Sequence, residues 1–180
     1  MNFSTEHHED GTGLDARIPH PSISARLPAT TPAIELMTDF QAVLALTVAP
    51  ERHIDDALKD MIVGGVRALL VTQGGRMVGL VTAADILGER PIQFLQDPTC
   101  DGTPCRHSDI HVRDIMTPRN QLQTLAFEEV RSLSVAEVSA AFRRSALTHV
   151  LIMQTMGAGE AEVRGILSRS RIARECIVES

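Results

Sequence analysis

Gly79-Leu80-Val81-Thr82-Ala83-Ala84-Asp85 is the stretch around which the rest of the chain is read. The apolar run from Met77 to Val81 predicts a buried strand. Thr82 is a good N-cap, and Asp85 falls in the first helical turn, where a negative charge complements the helix dipole. A hydroxyl and a carboxylate three residues apart at a strand-to-helix junction point to one spot. That spot either caps the helix or holds a vicinal diol such as a ribose, and these residues alone leave both readings open.

The surroundings repeat. Val43 to Val48 predicts a first strand, and Pro50 opens a helix whose stripe is Ile54, Ala57, Leu58, Met61 and Ile62. Gly64-Gly65 ends it, Val66 to Thr72 predicts a strand, and Gln73 to Arg76 predicts a tight turn into the strand that ends at Thr82. Farther on, Ser134-Val135-Ala136-Glu137 is a capping box, followed by the stripe Val135, Val138, Ala141 and Phe142. Strands are predicted over Thr148–Gln154 and Glu162–Leu167, and a helix over Ser168–Cys176. A shift of 81 residues places Ile54 on Val135, Met61 on Phe142 and Val71 on Ile152. After the hairpin the shift becomes 86, so that Gly79 to Thr82 falls on Gly165 to Ser168; upstream, Leu36-Met37-Thr38 meets Ile115-Met116-Thr117 at a shift of 79. Shifts that change at loops and hold within elements mark a duplicated unit.

The fold class expected is α/β (α+β): two β-α-β-β-α repeats after an N-terminal tail. Residues 1–33, rich in Pro, Ser, Thr and acidic side chains, read as a disordered or loosely ordered tail, with the portion from Ile18 to Leu27 draped on the domain. Repeat 1 covers residues 34–90 and repeat 2 residues 113–177, with an irregular Pro- and Gly-bearing connector over 91–112 that begins to loosen at Gly88. The net charge of −6 and the absence of Trp and Tyr argue against a nucleic-acid partner or an anionic membrane surface. The polar, acidic start is unlike a signal peptide, no apolar run is long enough for a membrane helix, and three cysteines make no disulfide framework. A soluble cytoplasmic protein is the expectation.

The repeat resembles the CBS domain, and the tandem resembles a CBS pair, or Bateman module, over residues 34–176. The likeness is carried by Ala57-Leu58 with Met61, by Gly65-Val66, Leu69-Leu70-Val71 and Gly79 to Asp85, and by Val112 to Thr117. The resemblance implies three strands and two helices per repeat, sheet-to-sheet packing about a pseudo-twofold axis, and pairing into homodimers. It also implies an adenine nucleotide (AMP, ADP or ATP) or S-adenosylmethionine as ligand, with no obligatory cofactor. Thr82 and Asp85 would hold the ribose, and Leu46, Thr47, Ala68 and Leu69 would face the adenine. A carboxylate can accept both hydrogen bonds from a cis-diol, and such charge-assisted bonds are strong. Arg52, Arg169 and Arg171 are candidates for phosphate, and His149 and Ser168 for the lining of a second cleft. The second repeat departs from the pattern: Arg171 stands where Asp85 stands in the first, and an arginine has no acceptor for a hydroxyl. One nucleotide site per chain, on the Thr82–Asp85 side, is therefore expected. With no effector domain in view, the output would go to another protein.

Cys100, Cys105, His107, Asp109 and His111 lie close in sequence, but C-x4-C-x-H-x-D-x-H is not the spacing of a structural zinc site, so no metal is expected. His7 and His8 read as solvated, as do Asp55-Asp56 and Arg143-Arg144 on helix faces, and Met37, Met61, Met77, Met116 and Met153 read as core. No phosphate-binding loop, nucleophile elbow or H-E-x-x-H pair is present, and the only lysine, Lys59, lies mid-helix. An enzyme is not expected. Two classes of function remain, a ligand-sensing regulatory module and a ligand-free dimerisation or docking module, with metal binding through the Cys/His connector as a third and lesser alternative.

Overall fold

The computed structural model describes residues 27–96, 106–157 and 160–175. The expected tail up to residue 26, with His7 and His8, lies outside the described residues, as do Cys100, Cys105 and Cys176. In chain order the strands are β1 (Thr38–Asp39), β2 (Thr47–Val48), β3 (Ala68–Gln73), β4 (Arg76–Thr82), β5 (Thr117–Pro118), β6 (Thr124–Ala126), β7 (His149–Thr155) and β8 (Ala161–Ser168). The helices are α1 (Ile54–Val63), α2 (Ala83–Leu87), α3 (Arg90–Gln96), α4 (Val112–Ile115), α5 (Phe127–Ser132), α6 (Val135–Arg144) and α7 (Arg169–Glu175).

The duplicated order is present. β2, α1, β3, β4 and α2 in the first half answer to β6, α6, β7, β8 and α7 in the second. In each half a short parallel pair precedes a long antiparallel hairpin. The first hairpin turns at Gly74 and Gly75, whose φ values of 57° and 75° suit glycine.

Each sheet has four strands rather than the expected three, in the orders β2-β3-β4-β5 and β1-β8-β7-β6. The fourth strand comes from the segment that precedes the other half. β5 pairs with β4 through Leu80 and Gly79, and β1 pairs with β8 through Ile166 and Gly165. Those two glycines are repeat equivalents, and each leaves room for the incoming backbone. A Cβ on Gly79 would lie 2.8 Å from the Thr117 carbonyl oxygen, and one on Gly165 would lie 2.5 Å from that of Thr38.

The cores follow the same exchange. Val48, Ile54, Ala57, Met61, Val71, Val81 and Ile86 pack with Ile110, Val112 and Ile115. Val130, Val135, Val138, Phe142, Val150, Ile152, Leu167 and Ile172 pack with Ala33, Leu36 and Met37. Full burial of one such side chain contributes about 1.5–3 kcal/mol. Between the sheets, Leu70, Leu80 and Leu151 form a third cluster with Ala68, Ile166 and their neighbours. Residues 27–33, assigned to the tail by composition, lie against the second half: Leu27 N–H donates to Glu175 O, and Thr31 and Ala29 carbonyls accept from Val135 and Ala136.

Several local expectations are corrected. The first strand does not run from Val43: only Thr47–Val48 pairs, while Val43 and Leu44 stand 50% and 85% exposed. The connector is not irregular throughout, because Arg90–Gln96 is helical, with Pro91 in a first turn where its missing N–H costs nothing. The apolar stripes are narrower than read, since Ile62 on α1 is 72% exposed and Ala141 on α6 is also exposed. α5 was not foreseen.

Candidate functional site

The residues of the opening stretch form a fixed station at the end of β4. Thr82 Oγ1 donates to Asp85 Oδ2 at 2.7 Å and accepts from the Asp85 N–H at 3.2 Å, while Thr82 N–H donates to the same Oδ2 at 2.8 Å. This is a complete capping box, so the capping role is real. It uses one carboxylate oxygen twice and leaves Oδ1 turned to Arg90 Nε at 3.2 Å. Arg90, at the start of α3, also donates to Ile115 O and to Thr117 Oγ1, so it ties the station to the segment that supplies β5.

The second half builds its counterpart differently. Ser168 Oγ accepts from the Arg171 N–H at 3.3 Å, and there is no carboxylate at the head of α7. Arg171 instead reaches Glu175 Oε1 at 3.1 Å, Thr38 Oγ1 at 3.1 Å, and the Met37 and Glu35 carbonyls. Thr38 and Thr117 are repeat equivalents. What Asp85 and Arg90 do together in the first half, Arg171 does alone in the second. The replacement removes a carboxylate yet keeps the grip on the exchanged strand.

Between the two halves lies a half-open cleft of about 900 Å³. Leu46, Val66 and Ala68 form one wall, Leu80 and Ile166 reach it from the two sheets, and Thr38, Ser168 and Arg171 close the side given by the second half. Arg67, Arg174 and Glu175 stand at its polar rim. His149 also lines it; burial pushes the imidazole pKa below its ordinary value, partly offset by the nearby Asp85 carboxylate. His149 Nδ1 lies 3.1 Å from Thr148 Oγ1.

Of the residues singled out in the sequence, Leu46, Ala68, His149, Ser168 and Arg171 line this cleft. Thr82 and Asp85 do not line it, although Thr82 lies directly across the ladder from Ala68. Strand alternation explains part of the division: Ala68 and Leu70 face the cleft, whereas Leu69 faces the first core. Thr47 is an exposed β2 residue. Arg52 pairs with Asp60 of α1 at 3.2 Å, away from the cleft, and Arg169 donates to the carbonyls of Phe142, Ser145 and Leu147 behind the end of α6. Arg67 and Arg174 were missed. The spacing of Arg171 and Arg174, three residues apart on one helix, was the signal available for the second of them.

Among the described residues no group of three or more His, Cys, Asp or Glu side chains could hold a metal ion. His107 pairs with Asp55, and His111 stacks on His53 with ring centroids 4.5 Å apart. No helix among the described residues is long and apolar enough to cross a membrane.

The family model of the CBS domain matches residues 33–91. An uncharacterised conserved protein from Pyrococcus horikoshii is similar at 24% identity, over 86% of this chain and 99% of that one, with a TM-score of 0.55. CBSX2, solved in complex with AMP, is similar at 22% identity over 80% and 93%, with a TM-score of 0.52. Residues 33–91 thus match the CBS domain, and the two halves together share the fold of these solved structures. A third structure with the same fold is the CBS domain of a bacterial CNNM/CorC family Mg2+ transporter in complex with ATP, at 17% identity over 82% and 87%, with a TM-score of 0.51. No curated protein matches the sequence.

Proposed function

We propose that this CBS pair is a regulatory module that takes an adenine nucleotide or adenosyl ligand at the boundary between its halves, with the ribose on Thr82 and Asp85. The observation that carries the reading is the state of the Asp85 carboxylate. One oxygen is locked in the capping box, and the other is held by Arg90, a side chain 41% exposed. Ribose hydroxyls donate to a carboxylate as an arginine does, so a diol can take the place of Arg90 on Oδ1. CBS proteins solved with AMP and with ATP support the ligand class.

The same exchange supplies a signal. Arg90 released from Asp85 loses its anchorage over Ile115 and Thr117, and the docking of β5 on the first sheet loosens. The ligand thereby favours one arrangement of the halves over another, a population shift driven by differential contacts. The output passes to an effector protein or through a homodimer in the cytoplasm. Exposed Ile62 and Val63 of α1, Leu87 of α2 and Ile92 of α3 support an apolar contact with a second copy.

Calorimetric titration of AMP, ADP, ATP and S-adenosylmethionine into wild type and Asp85→Asn tests the reading, with thermal melts to verify folding. A hydrogen bond to a charged group is worth about 1.5–3 kcal/mol, so Asp85→Asn should weaken AMP about ten- to hundredfold. No heat from any of the four ligands with folded wild-type protein would reject it and favour the ligand-free docking module.

A further inference from the structure

We propose that the arginine rim of the cleft is a docking surface for the chain's own N-terminal segment, with Glu6, Glu9, Asp10 and Asp15 set against Arg67 and Arg174. The surface uses neither Thr82 nor Asp85. The cleft lining carries three arginines, Arg67, Arg171 and Arg174, against one carboxylate, Glu175. Arg171 is spent on Glu175, Thr38 and the Met37 and Glu35 carbonyls. Arg174, with a side chain 74% exposed, gives Nη2 to Glu175 Oε1, and the exposed Arg67 guanidinium has no partner among the described residues. The chain as a whole carries a net charge of −6, so this excess of positive charge is local. A concave surface lined by one sign of charge gathers groups of the opposite sign.

The position of Leu27 identifies the occupant. Leu27 N–H donates to Glu175 O at 2.7 Å, and its side chain packs on the core of the second half. Glu175 itself lines the cleft, so residues 1–26 join the fold beside Arg174. Glu6, Glu9, Asp10 and Asp15 fall within ten residues that hold no lysine or arginine. Asp15 is twelve residues before Leu27, a length that spans up to about 40 Å when extended. That reach is ample for a cleft of about 900 Å³.

The residues between complete the match. Ile18 and Ile23 lie between the acidic run and Leu27, and Val43 and Leu44 line the same cleft while standing 50% and 85% exposed. An apolar stretch followed by carboxylates therefore suits an apolar wall followed by arginines. Single exposed ion pairs are weak, but attachment through Leu27 supplies an effective concentration on the order of millimolar, so several weak pairs together hold the segment. An anion from solution then has to displace it.

The full chain lends itself to a chemical test, because Lys59 is its only lysine. Arg67→Lys and Arg174→Lys keep the charge and put an amine on the rim. Carbodiimide coupling of carboxylates to amines, followed by peptide mapping, should join positions 67 and 174 to Glu6, Glu9, Asp10 or Asp15 within one chain. The yield should exceed that from Lys59 to the same carboxylates by at least about tenfold. Equal yields would overturn the docking, and joins formed only between chains would overturn its intramolecular character. Trypsin supplies a second readout, since cleavage after Arg17 follows the undocked population. Arg67→Gln/Arg174→Gln should accelerate that cleavage at least about threefold. Glu6→Gln/Glu9→Gln/Asp10→Asn/Asp15→Asn should do the same, and the two sets combined should add nothing further. Effects that simply add would overturn the pairing of these groups. Neither experiment contains a nucleotide, so its outcome is separate from the ligand reading of Thr82 and Asp85.

Discussion

Gly165→Ala probes the seat of the exchanged strand β1. The added methyl carbon would lie 2.5 Å from Thr38 O, 2.8 Å from Met37 Sδ and 2.9 Å from Met37 Cγ. Ordinary contact begins at 3.4 Å, so the β1 backbone must retreat by 3.4 − 2.5 = 0.9 Å. The bond from Phe40 N–H to Arg164 O is 2.9 Å long, and the same retreat would stretch it to 2.9 + 0.9 = 3.8 Å, beyond hydrogen-bond range. The Asp39–Arg164 pair beside it, with bonds of 2.7 and 2.8 Å, would be displaced as well. Overpacking together with a lost ladder bond amounts to about 2–4 kcal/mol. Urea unfolding at constant m-value measures the loss. Gly79→Ala, whose nearest backbone contact is 2.8 Å, should lose less, and Gly157→Ala, with nothing within 4 Å, should change stability by no more than about 0.5 kcal/mol. A Gly165→Ala protein within about 0.5 kcal/mol of wild type would refute the claim that glycine is needed for the strand to seat.

Two further outcomes are expected. The Arg164 guanidinium bonded to Asp39, with help from the Gln41 N–H, lowers the Asp39 pKa from 3.8 to about 2. The folded state thus binds this proton more weakly than the unfolded state, and the stabilisation is fully present above about pH 4 and lost as pH falls through about 2. The stability gap between wild type and Asp39→Asn should stay level from neutral pH down to about 4 and narrow below it; a gap that persists at pH 2 in urea titrations would contradict the assignment. Ser134→Ala removes both the acceptor for the Glu137 N–H and a donor to Glu137 Oε2, and should cost about 1 kcal/mol by the same measurement. An unchanged midpoint would mean that water serves the end of α6 equally well.

The duplicated unit was legible because one copy could be laid on the other, and a shared register inside strands and helices is hard to obtain by accident. The two capping boxes, at Thr82–Asp85 and Ser134–Glu137, were legible because their bonds span only three residues. The strand exchange was not. β1 and β5 are two residues long and carry no period, and the glycines beneath them explain themselves only beside Thr38 and Thr117. The site was half legible for a related reason. Sequence neighbours such as Ala68 and Leu69 face opposite sides of a strand, and the wall from one half meets the helix start of the other. Arg67 gave no signal because its role depends on α7, more than a hundred residues away. Pro91 misled in the opposite direction, since the residue that breaks helices elsewhere opens α3.

The exchanged strands also determine what a cut in the backbone can do. A break between residues 97 and 105 leaves β1 on the first fragment while its partner β8 is on the second; it leaves β5 on the second while its partner β4 is on the first. Each fragment carries a piece of the other's sheet and, with Leu36 or Ile115, a piece of the other's core. Neither is a cassette that could be lifted out and keep its own edge covered. The linker joins the halves by sequence, but reciprocal possession of a strand joins them by structure, and that bond survives the loss of the peptide connection.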